Sequence, residues 1–443
     1  MKYALDIGIK NLTSSNALVR RSQRCEVNHL TRFAEPDQTI FWKEARGHIV
    51  RDEDDNVFLD FTSGFGACLL GHNDPSVVQA VIEQTGNLHH SMGELFPSAG
   101  RVILAESILS RLDLSDDFWG VSFAVSGSEA IDIALKACIL RTGRHRFISF
   151  SRGFHGQSLG ALNVTAHEAL SGPFGKLTNN SRWFPYPESP EDLDALRENI
   201  SESIRSDKNS GVEYAAIIFE PAMGTGGYLF PPSGFQLLLK EVSIEFGIPL
   251  IADEIFCGFG RSGVNARSIN AGAEPDAICF GKAMANGFQI AACVMTKALS
   301  SSFRSDALVP LHGSTFSANP LGVSAAIATV REHIRQDIPA RSKDTGSRLL
   351  NALTSALSRS GSVTDVRGDG LMCAVEIGHR DGVAFHKTSQ VVRHLLCNGL
   401  VAIQTGLPYA NVIGLAPPVT IGDREIQFAA DAISHAVVSV ESR

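Results

Sequence analysis

Ile248-Pro-Leu-Ile-Ala-Asp-Glu-Ile-Phe-Cys-Gly258 and Asp276-Ala-Ile-Cys-Phe-Gly-Lys-Ala-Met-Ala-Asn-Gly287 decide how the chain is read. Each is a short apolar run that stops abruptly at charge and then at glycine. A strand buried in a parallel sheet has this form, apolar along its length and polar at its carboxyl end. Ligands of open α/β sheets bind beyond those ends. The acidic pair Asp253-Glu254 and the amine of Lys282 are therefore candidates for chemistry. For either charge alone the plainer reading is a helix-capping aspartate or a solvated lysine.

Strand and helix alternate around these two stretches. Val121–Val125, Arg146–Phe150 and Tyr214–Glu220 read as strands, and 291–296 as a neighbour of the Lys282 strand. Helices are expected over 99–112, 126–141 and 232–246. Such alternation implies a mainly parallel sheet with helices on both faces. Toward the N-terminus, a helix over 14–23 precedes a hairpin across 41–60 with an acidic turn. A glycine-rich loop follows over 61–72, and Pro75 opens a helix. Residues 165–211 read as loop with one helix near 190–205. Residues 318–358 read as one or two long helices, with Pro339 as the break. The last 85 or so residues change character, with a hairpin over 363–377, helices near 385–398 and 423–441, and two short strands within 400–415. The expected division is an N-terminal segment (1–65), a large domain (66–320) and a smaller α+β C-terminal domain (321–443) that the N-terminal segment joins.

At 44% hydrophobic and 19% charged, the 443 residues describe an ordinary globular chain rather than a disordered one. The net charge of −8 argues against nucleic acid as a partner, because phosphate backbones call for a basic face. No apolar run reaches the roughly 18 residues that a membrane span needs. The first residues lack an apolar core of the secretory kind. The eight cysteines form no CxxC or other ligand spacing. Most lie in apolar strings, as free buried thiols do. No metal is expected, and a cytoplasmic, reducing location is.

Ser126-Gly-Ser128 lies between a strand and a helix. Backbone N–H groups at a helix start, with a hydroxyl and a glycine for close approach, make an anion site; a serine that merely caps the helix is the equal alternative. His312-Gly-Ser-Thr-Phe-Ser-Ala-Asn-Pro320 is a second such loop. Two literal motif matches fail on context. Gly258-Phe-Gly-Arg-Ser-Gly263 fits GxGxxG, but the strand ends five residues earlier and no helix opens at its last glycine. Gly156-Gln-Ser-Leu-Gly160 fits GxSxG, but its serine lies several residues past the strand. What remains is a phosphate loop, an aromatic residue (Phe154), a strand-end aspartate and a strand-end lysine. Together these are the parts that hold pyridoxal phosphate: the lysine as a Schiff base, the aspartate on the pyridinium nitrogen, the aromatic on one ring face and Ile255 on the other.

From about residue 40 onward the chain resembles the class III pyridoxal-phosphate aminotransferases of fold type I. The matching stretches are Leu59-Asp-Phe-Thr-Ser-Gly64, Leu70-Gly-His-Asn-Asp-Pro75, Ser126-Gly-Ser-Glu-Ala130, Phe154-His-Gly156, Phe219-Glu-Pro-Ala-Met-Gly224, Ala252–Gly263, Gly281-Lys282, His312–Pro320 and Ala416-Pro-Pro418. The resemblance implies an α/β fold with a mainly parallel seven-stranded sheet in the large domain. It implies that Ser126, Gly127 and Ser128 hold the phosphate, that Ser314 also binds the cofactor, and that Thr315 reaches the phosphate from the second subunit of a homodimer. It further implies ring contacts from Phe154, His155 and Ile255, Glu220 near the ring's 3-oxygen side, and Asp253 and Lys282 as the catalytic pair. The implied reaction is ping-pong transfer of an amino group from a donor amine or amino acid to an aldehyde or keto acceptor, with Lys282 as proton shuttle.

Departures from the family bear on the substrate. Many members carry an arginine where this chain has Gly414, and that arginine grips a substrate carboxylate bidentately. Thr225 and Phe256 stand where ornithine and 4-aminobutyrate members have a glutamate and a glutamine. The motifs are similar to those of the ω-transaminase-like branch, although Gly287-Phe-Gln289 lacks that branch's common proline. An intramolecular aminomutase or racemase would use the same lysine. A non-catalytic cofactor-binding regulator is the reading from another class, and the intact Lys282/Asp253 pair weighs against it.

Overall fold

A computed structural model describes residues 6–26, 39–115, 118–175, 180–304, 310–378 and 382–441. Three N-terminal strands come first: β1 (Trp42–Arg46), β2 (Ile49–Asp52) and β3 (Val57–Asp60). Seven follow: β4 (Trp119–Ala124), β5 (Arg146–Phe150), β6 (Ser181–Phe184), β7 (Tyr214–Phe219), β8 (Leu250–Asp253), β9 (Ala277–Phe280) and β10 (Ala291–Thr296). The C-terminal strands are β11 (Val363–Asp369), β12 (Met372–Ile377), β13 (Leu400–Val401), β14 (Ile403–Thr405) and β15 (Val412–Leu415).

The middle group forms one seven-stranded sheet in the order β4-β10-β9-β8-β7-β5-β6. β10 is antiparallel to both its neighbours and every other pairing is parallel, so β10 alone runs against the rest. Every residue of β7, β8 and β9 is buried, because helices cover both faces. The two-residue period of a strand then sorts side chains between two apolar layers. Ile217, Phe219, Ile278 and Phe280 join one layer, while Ala216, Ile218, Ala277 and Cys279 join the other. Helix Gly127–Thr142 supplies Ala130, Ile131 and Ala134 to the second layer. Phe235–Phe246 and Pro320–Arg335 pack on the first. Truncating a large buried side chain such as Phe280 to alanine would cost ~3–5 kcal/mol.

Two smaller sheets flank this one, in the orders β1-β2-β3-β13 and β11-β12-β15-β14. β13 pairs in parallel with β3, Leu400 opposite Leu59, so N-terminal and C-terminal residues share a sheet.

Several local expectations need correction. Residues 41–60 form three antiparallel strands, not a hairpin, because the chain turns at Gly47 (φ 59°) as well as at the acidic turn. The 165–211 region holds a strand, β6, parallel to β5 at the sheet edge. It is four residues long and begins Ser-Arg, too short and polar to register as an apolar run. The two long helices part at Gln336 and at Asp337 (φ 45°), ahead of Pro339, which sits in the first turn of Ile338–Leu357 where its missing N–H breaks no bond. The 400–415 stretch contains three strands, not two.

Candidate active site

The carboxyl ends of β4, β5, β7, β8 and β9 lie along one edge of the sheet, with β10 between β4 and β9, and each delivers one part of a site. Past β4, Ser126 caps helix Gly127–Thr142: its Oγ accepts from Glu129 N at 3.3 Å, and Glu129 accepts from Val125 N at 2.7 Å. The first bond is an N-cap, and the second ties the residue before the cap to the helix's first turn. They leave the first helical N–H groups, at Gly127 and Ser128, facing outward at the positive end of the helix. A Cβ at Gly127 would sit 3.0 Å from Ile255 Cδ1, and a Cβ at Gly156 (φ 127°) would overlap the Ser128 hydroxyl. The two glycines keep the cradle open.

Past β5, Thr165 accepts from His155 N at 2.9 Å. His155 Nδ1 donates to Asp253 Oδ2 at 2.7 Å, and Ile255 N donates to Asp253 Oδ1 at 3.0 Å. Asp253 is the last residue of β8, and both it and His155 are buried. Past β7, both oxygens of Glu220 are used, Oε1 by Phe154 N and Oε2 by Gly224 N, each at 2.9 Å. Burial raises the Glu220 carboxyl to about 7, against the pull of His155 and with Asp253 pushing it further up.

Lys282 lies two residues past β9 with φ 44°, a left-handed conformation that costs a non-glycine residue ~1–3 kcal/mol and tends to mark functional positions. It is half-buried. Burial lowers its amine to about 8, although Asp253 and Glu220 oppose the shift; Arg261 adds to it. Nζ sits 4.3 Å from the centre of the Phe256 ring. Next to Phe256 is Tyr228, ring centres 5.2 Å apart.

Of the residues singled out in the sequence, Ser126, Gly127, Ser128, Phe154, His155, Glu220, Asp253, Ile255 and Lys282 are thus brought together. Ser314 and Thr315 are not joined to them within one chain. Their loop instead borders the first turn of the same helix, with His312 Nε2 3.4 Å from Glu129 Oε1 and Ser317 Oγ bonded to Phe123 O at 2.8 Å, and Thr315 is exposed. Glu254 turns away from Asp253 to accept from Ser268 N and Oγ at 2.6 and 2.7 Å, which makes it a structural residue. Ser158 of the GxSxG match donates to Asp132 at 2.8 Å. Tyr228 and Thr165 escaped the sequence reading. Thr165 has no signal beyond a lone hydroxyl; Tyr228 follows a Gly-Thr-Gly-Gly run that marks a turn.

Comparison with known proteins settles the family. Residues 32–437 match the family described as aminotransferase class-III. The chain belongs to the class III aminotransferases. Among curated relatives, the acetylornithine aminotransferase of Methanothermobacter thermautotrophicus is 32% identical over 401 residues, covering 90% of this chain and 94% of that protein. A PLP-bound amine transaminase from an uncultivated Pseudomonas species is 26% identical, with TM-score 0.83 over 95% of this chain and 98% of that one. A taurine:2-oxoglutarate aminotransferase from Bifidobacterium kashiwanohense, solved with PLP and glutamate, is 23% identical and shares the fold, with TM-score 0.86 over 98% of this chain and 100% of that one. This class III aminotransferase is of fold type I, uses pyridoxal phosphate and carries out transamination. Its residues fit that cofactor: an open helix start for a phosphate, a fixed carboxylate for a ring nitrogen, and an amine near neutrality for a carbonyl carbon.

Proposed function

We propose that Lys282 and Asp253 are the catalytic pair of this aminotransferase, serving a donor amine or amino acid and an aldehyde or keto acceptor. The observation that carries the assignment is the placement of a strained, half-buried lysine beside a buried strand-end aspartate that a histidine holds, His155 to Asp253 at 2.7 Å. Bound there, pyridoxal phosphate supplies an electron sink for the charge left when a carbon loses its proton. The N–H groups of Gly127 and Ser128, with Ser126 fixing the helix start, bind the phosphate. Asp253, oriented by His155 and Ile255 N, holds the ring nitrogen. Phe154 and Ile255 close the two ring faces, and Glu220 fixes the backbone of Phe154 and Gly224. Lys282 Nζ removes the proton from the donor's reacting carbon, which an amine lowered to about 8 can do near neutral pH. In the second half-reaction it delivers a proton to the acceptor's carbonyl carbon.

The active unit is a homodimer in which Thr315, with Ser314 beside it in the cofactor-binding loop, reaches the partner's phosphate. Supporting this, Thr315 is next to exposed Phe316, whose ring lies 5.4 Å from that of His90. Leu88, Met92, Leu95 and Phe96 add exposed apolar side chains along the same segment. A surface of this kind marks an interface. We also propose the domain division 1–65, 66–320 and 321–443, and a cytoplasmic location. Borohydride reduction of the loaded enzyme followed by peptide mapping tests the central assignment. The adduct is expected on Lys282, and an adduct on another lysine overturns it.

A further inference from the structure

Helix Phe235–Phe246 opens with nothing to cap it. Gly234 stands at its N-cap with φ 99° and no side chain to offer, and the first turn carries no acidic residue. Phe235 N bonds back to Pro232 O, and Leu238 N to Gly234 O. Among the described residues, the N–H groups of Gln236 and Leu237 have no partner. They point out of the positive end of a twelve-residue helix, where an anion is favoured. Taken alone they ask for no more than water.

The groups around them ask for more. Gln236 and Leu237 line a cleft of about 390 Å³ together with Ser233, Arg267, Lys343 and Asp369. Gln236 is 7% exposed, and its side-chain oxygen is buried without a hydrogen-bond partner. A buried acceptor left unmet calls for a donor from whatever fills the space beside it. Arg267 donates to Asp369 and lies over the Phe230 ring, 5.3 Å from its centre. Lys343 is exposed and, among the described residues, pairs with no carboxylate. Two cations against one carboxylate leave the cleft positive. None of the residues that hold the cofactor, from Ser126 to Lys282, lines it.

These groups fit a ligand of two parts. A phosphate set on Gln236 N and Leu237 N meets the ammonium of Lys343, and ionised acceptors make the stronger hydrogen bonds. A hydroxyl beside that phosphate donates to the Gln236 oxygen. The room available is far more than orthophosphate needs and is that of a small-molecule site. We propose that this cleft binds a hydroxylated phosphomonoester, a glycerol phosphate or small sugar phosphate, with its phosphate on the helix start and Lys343 and a hydroxyl on Gln236. The ligand bridges the start of Phe235–Phe246 to Lys343 in Ile338–Leu357 and Asp369 in β11.

The test is calorimetric titration of borohydride-reduced enzyme, in which the cofactor's own phosphate stays in the 126–128 cradle and keeps the probe out of it. Glycerol 3-phosphate is expected to bind once per chain, roughly tenfold more tightly than inorganic phosphate, which is the worth of one hydrogen bond to a buried acceptor. Glycerol alone should give no binding heat. Lys343→Gln, at an exposed side chain that the core does not use, should weaken glycerol 3-phosphate roughly tenfold. Gln236→Leu should erase the difference between the two phosphates; if it does not fold, Lys343→Gln and the wild-type comparison decide. No saturable binding of glycerol 3-phosphate, equal affinities for the two phosphates in wild type, or an affinity that Lys343→Gln leaves unmoved overturns the inference. Transamination stands in each of those cases, because the peptide that carries the reduced adduct is identified separately.

Discussion

Lys282→Met in the cofactor-free protein measures how strongly the site discourages charge on its lysine. The amine falls from 10.5 in the unfolded chain to about 8 in the fold. Each pK unit is ~1.4 kcal/mol, so protonated Lys282 works against folding by roughly 3 kcal/mol before its partial exposure is discounted, and about 2 kcal/mol after. Between pH 8 and 10.5 the unfolded state binds more protons than the folded one, so this lysine makes stability rise with pH through that window. Below pH 8 the penalty is present in full. Methionine fills similar space without the charge. At pH 7 Lys282→Met should therefore be about 2 kcal/mol more stable than wild type, and the gap should close as pH approaches 10.5. Urea unfolding of both proteins at pH 7, 8.5 and 10 reads this directly, and other groups that titrate there cancel in the difference. A gap that does not change with pH, or a wild type that is the more stable at pH 7, would refute the account of Lys282 as a lysine held near neutrality by burial.

Glu220→Gln presents a donor where a second acceptor is needed, leaving Phe154 N or Gly224 N unpaired; unfolding in urea should show a loss of ~1–3 kcal/mol. Gly156→Ala forces a methyl onto the Ser128 hydroxyl, and cofactor titration should show at least a tenfold weaker affinity with the fold intact by circular dichroism. His72 is a test of opposite sign to Lys282. Burial would lower it, but the bond to Asp60 Oδ2 at 2.7 Å, with lesser help from Cys68, raises it to about 10. Its stabilisation is complete below pH 6.5 and is lost as pH climbs through 10, so His72→Gln should flatten the fall of the melting temperature over that range.

Asp253 and Lys282 were legible because burial is written into the runs that precede them: strand residues covered on both faces must be apolar, so the first charge marks the strand's end. Ser126 was legible because a serine and a glycine between a strand and a helix are a local signal, for an anion site or a helix cap. Glu254 was misjudged as half of an acidic pair. Its neighbour turns into the site while it turns to Ser268, fourteen residues away in a loop the sequence does not place. Strand β6 was hidden by its polar start at a sheet edge. Tyr228 was invisible for a different reason. It meets Gly414 and Phe256 only through tertiary packing, the first across 186 positions. Phe256 stood out only as a departure from relatives, and its contact with Lys282 needed coordinates.

The pairing of β3 with β13 has a consequence for how the chain is born. Leu59 N bonds to Gly399 O at 2.8 Å, and Phe61 N to Val401 O at 3.0 Å. Those partners leave the ribosome about 340 residues apart, which at ~5–20 residues per second is a wait of roughly 20–70 s. Throughout that interval β3 has one open edge, with its N–H groups unclaimed. An open edge is a template for pairing with other chains. The first strands to emerge are thus among the last to be completed.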